Sequence, residues 1–301
     1  MRNYRESGWR LQYQLILRLL STASNEVNLV SRLSLSAAIL FATLMSACSK
    51  EPVELGATTY GPDVTVGCAT DTRVGSGGVH DDELSIGGIR FSVRTPVNYD
   101  PSIAHPLLLV YPAAGHDRYD SERFTQLTPV ATTAGFIVAY VDHRRLSIKV
   151  LDGLATIPTV VARKWCIDPE RIFLTGHSDG GTTTAAMAFR RDDGLTPAAI
   201  VASAAGIRGS DLEAYVCPEP LPVMVLHNSD DKLFPGFGAQ AARWWAECNQ
   251  CDLGASKIGT DGCVSYKGCA EQGEVRYCEG SGGHRKWPNQ NDAVLRFFLS
   301  S

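Results

Sequence analysis

The chain has 301 residues, 44% hydrophobic and 20% charged, with a formal net charge of −4 and nine cysteines. That hydrophobic fraction excludes a disordered chain, and a pI near 6.0 without a basic run excludes an electrostatic footprint for nucleic acid. Nine cysteines are many for a reduced cytosolic protein; they predict an oxidising compartment or a metal, and the odd count sets one cysteine apart.

In chain order, the first distinctive segment is Leu33 to Met45, apolar and uncharged, just after Arg32. It is too short to span a bilayer, which takes about 20 apolar residues. It suits the apolar region of an export signal, ending in the small residues Ser46 and Ala47. Met45-Ser46-Ala47-Cys48 resembles a bacterial lipobox. That resemblance makes residues 1–47 a removed signal and Cys48 the lipidated first mature residue. The acyl chains would hold a soluble domain on a membrane surface. Ser49, in place of Asp, points to the outer membrane. The expected location is therefore exported and lipid-anchored, in the outer membrane, periplasm or cell surface. Residues 48–81, rich in Gly, Thr, Ser and Pro, read as a tether and irregular entry segment. Residues 82–301 read as one domain, with no internal repeat or long linker.

Within that domain, Leu84–Ile86 and Ile89–Val93 alternate about Gly87-Gly88, which predicts a hairpin. Leu107–Tyr111 and Phe136–Val141 are continuous apolar runs suited to strands buried on both faces. Phe124–Ala134 between them reads as helix. Val150–Trp165 is predicted helical, with Pro158 an irregularity. Arg171–Thr175 is a strand, Thr182–Arg190 a helix, and Ala199–Ser203 and Val223–His227 are strands. Gln240–Cys248 is a helix, Glu274–Cys278 a strand and Asp292–Leu299 a closing helix. Strands alternating with helices predict a mostly parallel sheet covered on both faces, an α/β fold.

The third central strand runs into Gly176-His177-Ser178-Asp179-Gly180-Gly181 and then a helix. As a bare string, G-x-S-x-G is weak evidence. At a strand-to-helix turn it is stronger, because the glycines leave room for a strained serine whose hydroxyl is lifted clear of the sheet. The helix start directs unpaired N–H groups and a positive dipole end at the same spot, so the N–H of Asp179 is one donor for a developing oxyanion. A phosphate-binding turn would be expected to carry a P-loop lysine, which is absent. A nucleophilic serine needs a base, and the base an orienting acid. Of seven histidines, His284 stands in the glycine-rich stretch Gly280–Gly283 after the last strand, at the C-terminal edge of the sheet where open α/β folds place their sites. Asp230 and Asp231 follow another strand at that edge. The order Ser, Asp, His is that of the α/β-hydrolases.

The chain resembles the α/β-hydrolase esterases that include polyhydroxybutyrate depolymerases and feruloyl and acetylxylan esterases. The likeness rests on Thr95–Asp100 with His105-Pro106-Leu107, on Cys166-Ile167-Asp168-Pro169 through Gly181, and on His227 to Pro235. It continues in Asn249-Gln250-Cys251, in Tyr266–Cys269, and in Gly282-Gly283-His284 with Trp287-Pro288. It implies hydrolysis through an acyl-serine intermediate, with Ser178, His284 and Asp231 (rather than Asp230) as nucleophile, base and acid, and with no cofactor or metal. Two departures stand out. The family's His-Gly after the first buried strand is here Tyr111-Pro112-Ala113-Ala114-Gly115. Pro112 has no N–H, which leaves Ala113 or Ala114 as second oxyanion donor. The histidine loop is one residue longer, placing Arg285 and Lys286 where they would border the cleft, as anion-favouring or simply solvated groups.

Setting Cys48 aside leaves eight cysteines, a number that fits four disulfides. Cys248-x-x-Cys251 ends a helix rather than starting one, and Cys263/Cys269 are too widely spaced for the usual zinc ribbon. The resemblance makes Cys251–Cys269 the expected bridge. Five of the eight fall near the histidine loop, so reduction is expected to loosen His284 before it unfolds the sheet. Trp165, Trp244, Trp245 and Trp287 could line an aromatic cleft; helix-borne tryptophans are more often core.

The expectation is an exported serine esterase acting on a carboxylic ester, polymeric substrates included: a polysaccharide ester by the feruloyl or acetylxylan likeness, or a polyester by the polyhydroxybutyrate depolymerase likeness. An exopeptidase of this fold would bring a large cap, for which the chain has no room. A non-catalytic surface-binding module would be expected to have lost the serine or the histidine.

Overall fold

In a computed structural model the chain is described at Cys68 and over residues 75–190 and 195–301. The expected signal, Cys48 and most of the tether lie outside the described residues.

Among the described residues ten strands form one sheet, in the order β1-β2-β4-β3-β5-β6-β7-β10-β9-β8. The expected hairpin is β1 (Gly78–Leu84) paired antiparallel with β2 (Arg90–Thr95). Gly88, at φ +75°, makes the turn, and Ser85 N–H closes it on the Ile89 carbonyl at 2.9 Å. β1 starts at Gly78, inside the segment read as irregular entry.

The six central strands are parallel: β3 (His105–Tyr111), β4 (Ile137–Val141), β5 (Ile167–His177), β6 (Ala199–Ser203), β7 (Val223–Asn228) and β10 (Val275–Gly280). Their apolar runs follow from burial on both sides. Leu107, Leu109 and Tyr111 enter one core, while Leu108 and Val110 enter the other. Right-handed crossovers of such strands put helices on both faces. The chain-order helices are α1 (Arg118–Thr125), α2 (Leu127–Thr133), α3 (Ile148–Ala155), α4 (Ile157–Ala162), α5 (Asp179–Phe189), α6 (Gly209–Leu212), α7 (Phe237–Cys248) and α8 (Asn291–Ser300). Helices α3, α4, α5 and α7 cover the first core, with Trp165, Trp244 and Trp245 buried in it. Helices α2 and α8 cover the second, where Phe297 and Phe298 pack on Phe173 and its neighbours.

Two expected helices are each divided. The 124–134 helix breaks at Gln126, whose φ of +52° ends α1 and starts α2. The 150–165 helix breaks at Thr156, because Pro158 has no N–H to return to the Leu154 carbonyl. Thr156 Oγ1 turns back onto the Gly153 carbonyl at 2.7 Å, closing the last turn of α3.

Two strands were not expected: β8 (Asp252–Ile258) and β9 (Val264–Lys267), which extend β10 antiparallel. β8 is almost wholly exposed and carries no apolar alternation, so it gives no period to read. This corner is held covalently instead. Cys217–Cys248, Cys251–Cys269 and Cys263–Cys278 are disulfides here, and a fourth, Cys68–Cys166, ties the entry segment to the foot of β5. Each half of Cys248-x-x-Cys251 is thus committed to a different bridge.

Candidate active site

β5 ends at His177, α5 opens at Asp179, and Ser178 alone makes the turn, at φ +56° and ψ −115°. A non-glycine residue in this region stores about 1–3 kcal/mol, so its surroundings must fix it. They do so from three sides. Ser178 N–H donates to the Ser203 carbonyl at 2.9 Å, and its own carbonyl accepts from Thr182 N–H at 2.9 Å. Gly176 and Gly180 lie so close to the Tyr111 carbonyl that a Cβ at either would collide with it.

The loop after β10 brings His284 over this turn. Its Nε2 lies 2.9 Å from Ser178 Oγ, and its Nδ1 lies 2.8 Å from Asp231 Oδ2. Asp231 is buried just past β7. Burial opposes its charge, but the N–H of Phe234, His284 and the N–H of Leu233 outweigh that and hold its carboxyl below the usual range. The two backbone bonds fall on Oδ1, at 2.8 Å from Leu233 and 2.9 Å from Phe234, leaving Oδ2 for His284.

Asp230 faces the other way. Its Oδ1 accepts from Gly282 and Gly283 N–H, both at 2.8 Å, and these bonds keep its carboxyl ionised below the ordinary range. It braces the histidine loop rather than the histidine. Asn228, unremarked in the sequence, does the same from β7, with Nδ2 donating to the Gly283 and Lys286 carbonyls at 2.7 and 2.9 Å. An asparagine at a strand end carries no sequence signal for that role.

His177 was also without an assigned role. Its ring is buried, with Nδ1 2.9 Å from Ser203 Oγ and Nε2 2.7 Å from the His284 carbonyl. Burial pushes its pKa down to about 4. His227 lies under the acid; its Nε2 is 3.7 Å from Asp231 Oδ2, beyond hydrogen-bond range, and burial pushes it towards the neutral form.

Asp179 N–H lies in the first turn of α5, where helix geometry provides no carbonyl partner. The Asp179 side chain meets His143 Nε2 at 3.1 Å. The loop after β3 abuts the elbow through Tyr111 and Pro112, with Ala113 half-buried and Ala114 exposed. Arg285 and Lys286 are both exposed. Of the four tryptophans among the described residues, Trp287 alone comes near the site: it is half-buried, 6.5 Å from Phe124 and 6.1 Å from His177 by ring centroid. On the other side Phe234 stands edge-on to His284 at 4.8 Å and stacks on Phe237 at 5.4 Å.

No protein-family model and no curated protein matches the chain. Solved structures do. An acetyl xylan esterase from Aspergillus awamori superposes with a TM-score of 0.58 at 16% identity, over 75% of this chain and 100% of that one. A truncated carbohydrate esterase from gut microbiota gives 0.53 at 13% identity, over 78% and 99%. The fluorophosphonate-binding serine hydrolase F of Staphylococcus aureus gives 0.52 at 14%, over 75% and 98%. The fold is that of the α/β-hydrolases. The parallel sheet, the elbow after its third central strand and the loops at the C-terminal ends of β7 and β10 all follow that plan.

Proposed function

We propose that this chain is a serine hydrolase of carboxylic esters. The observation that carries the proposal is the relay from Asp231 Oδ2 through His284 to Ser178 Oγ, closed at 2.8 and 2.9 Å. Ser178 Oγ attacks the ester carbonyl carbon while its proton passes to His284 Nε2. Asp231, held ionised, fixes the imidazole with Nδ1 protonated and stabilises the imidazolium. The oxyanion is met by the N–H of Asp179 and by that of Ala113 or Ala114. As the tetrahedral intermediate collapses, His284 gives the proton to the leaving alcohol. Water then attacks the acyl-serine with His284 as base, and the acid leaves.

The substrate class we favour is the feruloyl or acetylated polysaccharide ester. The motif likeness supports it, and so do the half-buried rings Phe234 and Trp287, which offer faces to an aromatic or sugar group beside the reacting centre. A polyhydroxybutyrate depolymerase is the second reading, supported by the same motifs. A non-catalytic module is disfavoured because serine, histidine and acid are all in place. Four disulfides indicate an exported protein, and the lipobox-like stretch supports a lipid anchor on Cys48. Palmitate labelling of the full chain tests the anchor: label is expected in wild type and lost in Cys48→Ala.

Turnover of a short nitrophenyl ester by wild type and Ser178→Ala tests the reaction. Activity is expected only in wild type, and equal rates would sink the proposal. A panel of methyl ferulate, acetylated xylan and polyhydroxybutyrate films then separates the substrate readings. Preference for the film would favour the depolymerase.

A further inference from the structure

His177 occupies the variable position between glycine and serine in the elbow, where the motif asks for no particular side chain. Yet its ring connects two parts of the site that are 107 residues apart in sequence. A carbonyl oxygen can only accept, so the 2.7 Å contact with the His284 carbonyl puts the proton on Nε2 of His177. Nδ1 is then an acceptor, and the Ser203 hydroxyl at 2.9 Å donates to it. The same Ser203 takes the Ser178 N–H on its carbonyl. Burial, pushing the pKa of His177 down to about 4, keeps this neutral tautomer in place at neutral pH. Phe124 closes against the ring at 5.0 Å, so the side chain has little freedom.

The histidine loop needs such a restraint. Gly282 and Gly283 take φ values of +119° and +68°, so the backbone entering His284 is conformationally permissive. Asp230 and Asn228 hold the loop before and after His284, and Asp231 holds the ring at Nδ1. Among the described residues, the hydrogen bond from His177 is the one on the carbonyl of His284 itself.

We propose that His177 is a positioning residue: through its Nε2–H on the main-chain carbonyl, it fixes the base over the nucleophile that follows it in the chain. The inference rests on the esterase reading, since it assigns His284 as base. One residue at the end of β5 thereby sets both the elbow and the height of the imidazole above it. Losing the bond leaves substrate contacts intact while shortening the time His284 Nε2 spends within reach of Ser178 Oγ. The effect therefore falls on kcat rather than KM.

The test compares His177→Phe, which keeps a ring without a donor, with His177→Gln, whose amide N–H can restore the bond. Rates are taken per active site titrated with a fluorophosphonate, so that a smaller folded fraction does not register as slower catalysis. We expect kcat on a nitrophenyl ester to fall on the order of 10–100-fold in His177→Phe with KM within about twofold, and to recover substantially in His177→Gln. In NMR spectra the low-field Nδ1 proton of His284 should broaden in the Phe variant and return in the Gln variant. Wild-type kcat per site in His177→Phe, with an unchanged His284 proton signal, would overturn the proposal; so would a Gln variant no better than Phe. If His177→Phe does not fold, Ser203→Ala takes its place. It frees the tautomer of His177, so a smaller fall in kcat at unchanged KM is expected, and no change in either kcat or the His284 signal counts against the role. The NMR signal reports the geometry whether or not esters turn over. Failure of the esterase reading would show instead as full activity in Ser178→Ala.

Discussion

Ser178 holds a backbone conformation that costs energy, and the residues around it exist to hold it there. Gly180 is the sharpest case, since a methyl group at its Cα runs into the Tyr111 carbonyl, a main-chain atom in the central strand that cannot step aside. Gly180→Ala is predicted to destabilise the fold by about 3 kcal/mol, measured by urea unfolding. A wild-type midpoint would contradict the close approach. Asp231 makes a different prediction. Its carboxyl accepts two backbone N–H groups on Oδ1 and His284 on Oδ2, so Asp231→Asn keeps the shape but presents an amide N–H or the wrong tautomer to the imidazole. kcat is expected to drop on the order of 10⁴-fold in protein that keeps the wild-type circular dichroism spectrum. A drop of less than tenfold would remove Asp231 from the relay.

At the scale of elements, the disulfides are concentrated where the sheet is least able to hold itself. β8 and β9 bury little, and Cys263–Cys278 ties the start of β9 to β10, two residues before Gly280 opens the histidine loop. Mild reduction, or Cys263→Ala with Cys278→Ala, is predicted to raise amide exchange over residues 280–287 and cut activity while β3, β5 and β6 stay protected. Persistence of full activity in reductant would show that the loop does not depend on the bridges. This region also marks where the sequence stops being informative. The central strands were legible because burial on both faces demands unbroken apolar runs, as in Leu107–Tyr111. The elbow was legible because only glycine fits beside it. β8, exposed and unpatterned, was not. Nor were Asn228 and His177, whose roles arise from main-chain carbonyls delivered by a distant loop; such partners have no spacing in the sequence to search for.

For the whole molecule, folding couples to pH through groups that are buried neutral. His177 has a pKa of about 4 in the fold against 6.5 for an ordinary histidine, with Asp231, His284 and His227 as its charged or titratable neighbours. Between those values the unfolded chain binds a proton that the folded one does not, so stability falls as pH drops from 6.5 towards 4. The loss from this residue is on the order of 3 kcal/mol. Burial shifts His227 in the same direction and adds to the slope. Asp231, shifted below its ordinary 3.8, acts lower: its contribution is full above that value and is lost as pH falls through the folded pKa. Chemical denaturation at pH 7, 5.5 and 4.5 should show the decline, and His177→Gln should flatten it. An equal slope in the variant would mean other groups carry the linkage.

In the proposed reaction Ser178, activated by His284, carries the acyl group as a covalent intermediate. Trapping tests it most directly: the protein is mixed with a slowly deacylated nitrophenyl ester, quenched in acid, and digested for peptide mass analysis. One acyl adduct per chain is expected, on the peptide carrying Ser178, formed in the burst that releases nitrophenol and absent from Ser178→Ala. An adduct on another residue, or a burst that survives the alanine substitution, would contradict it.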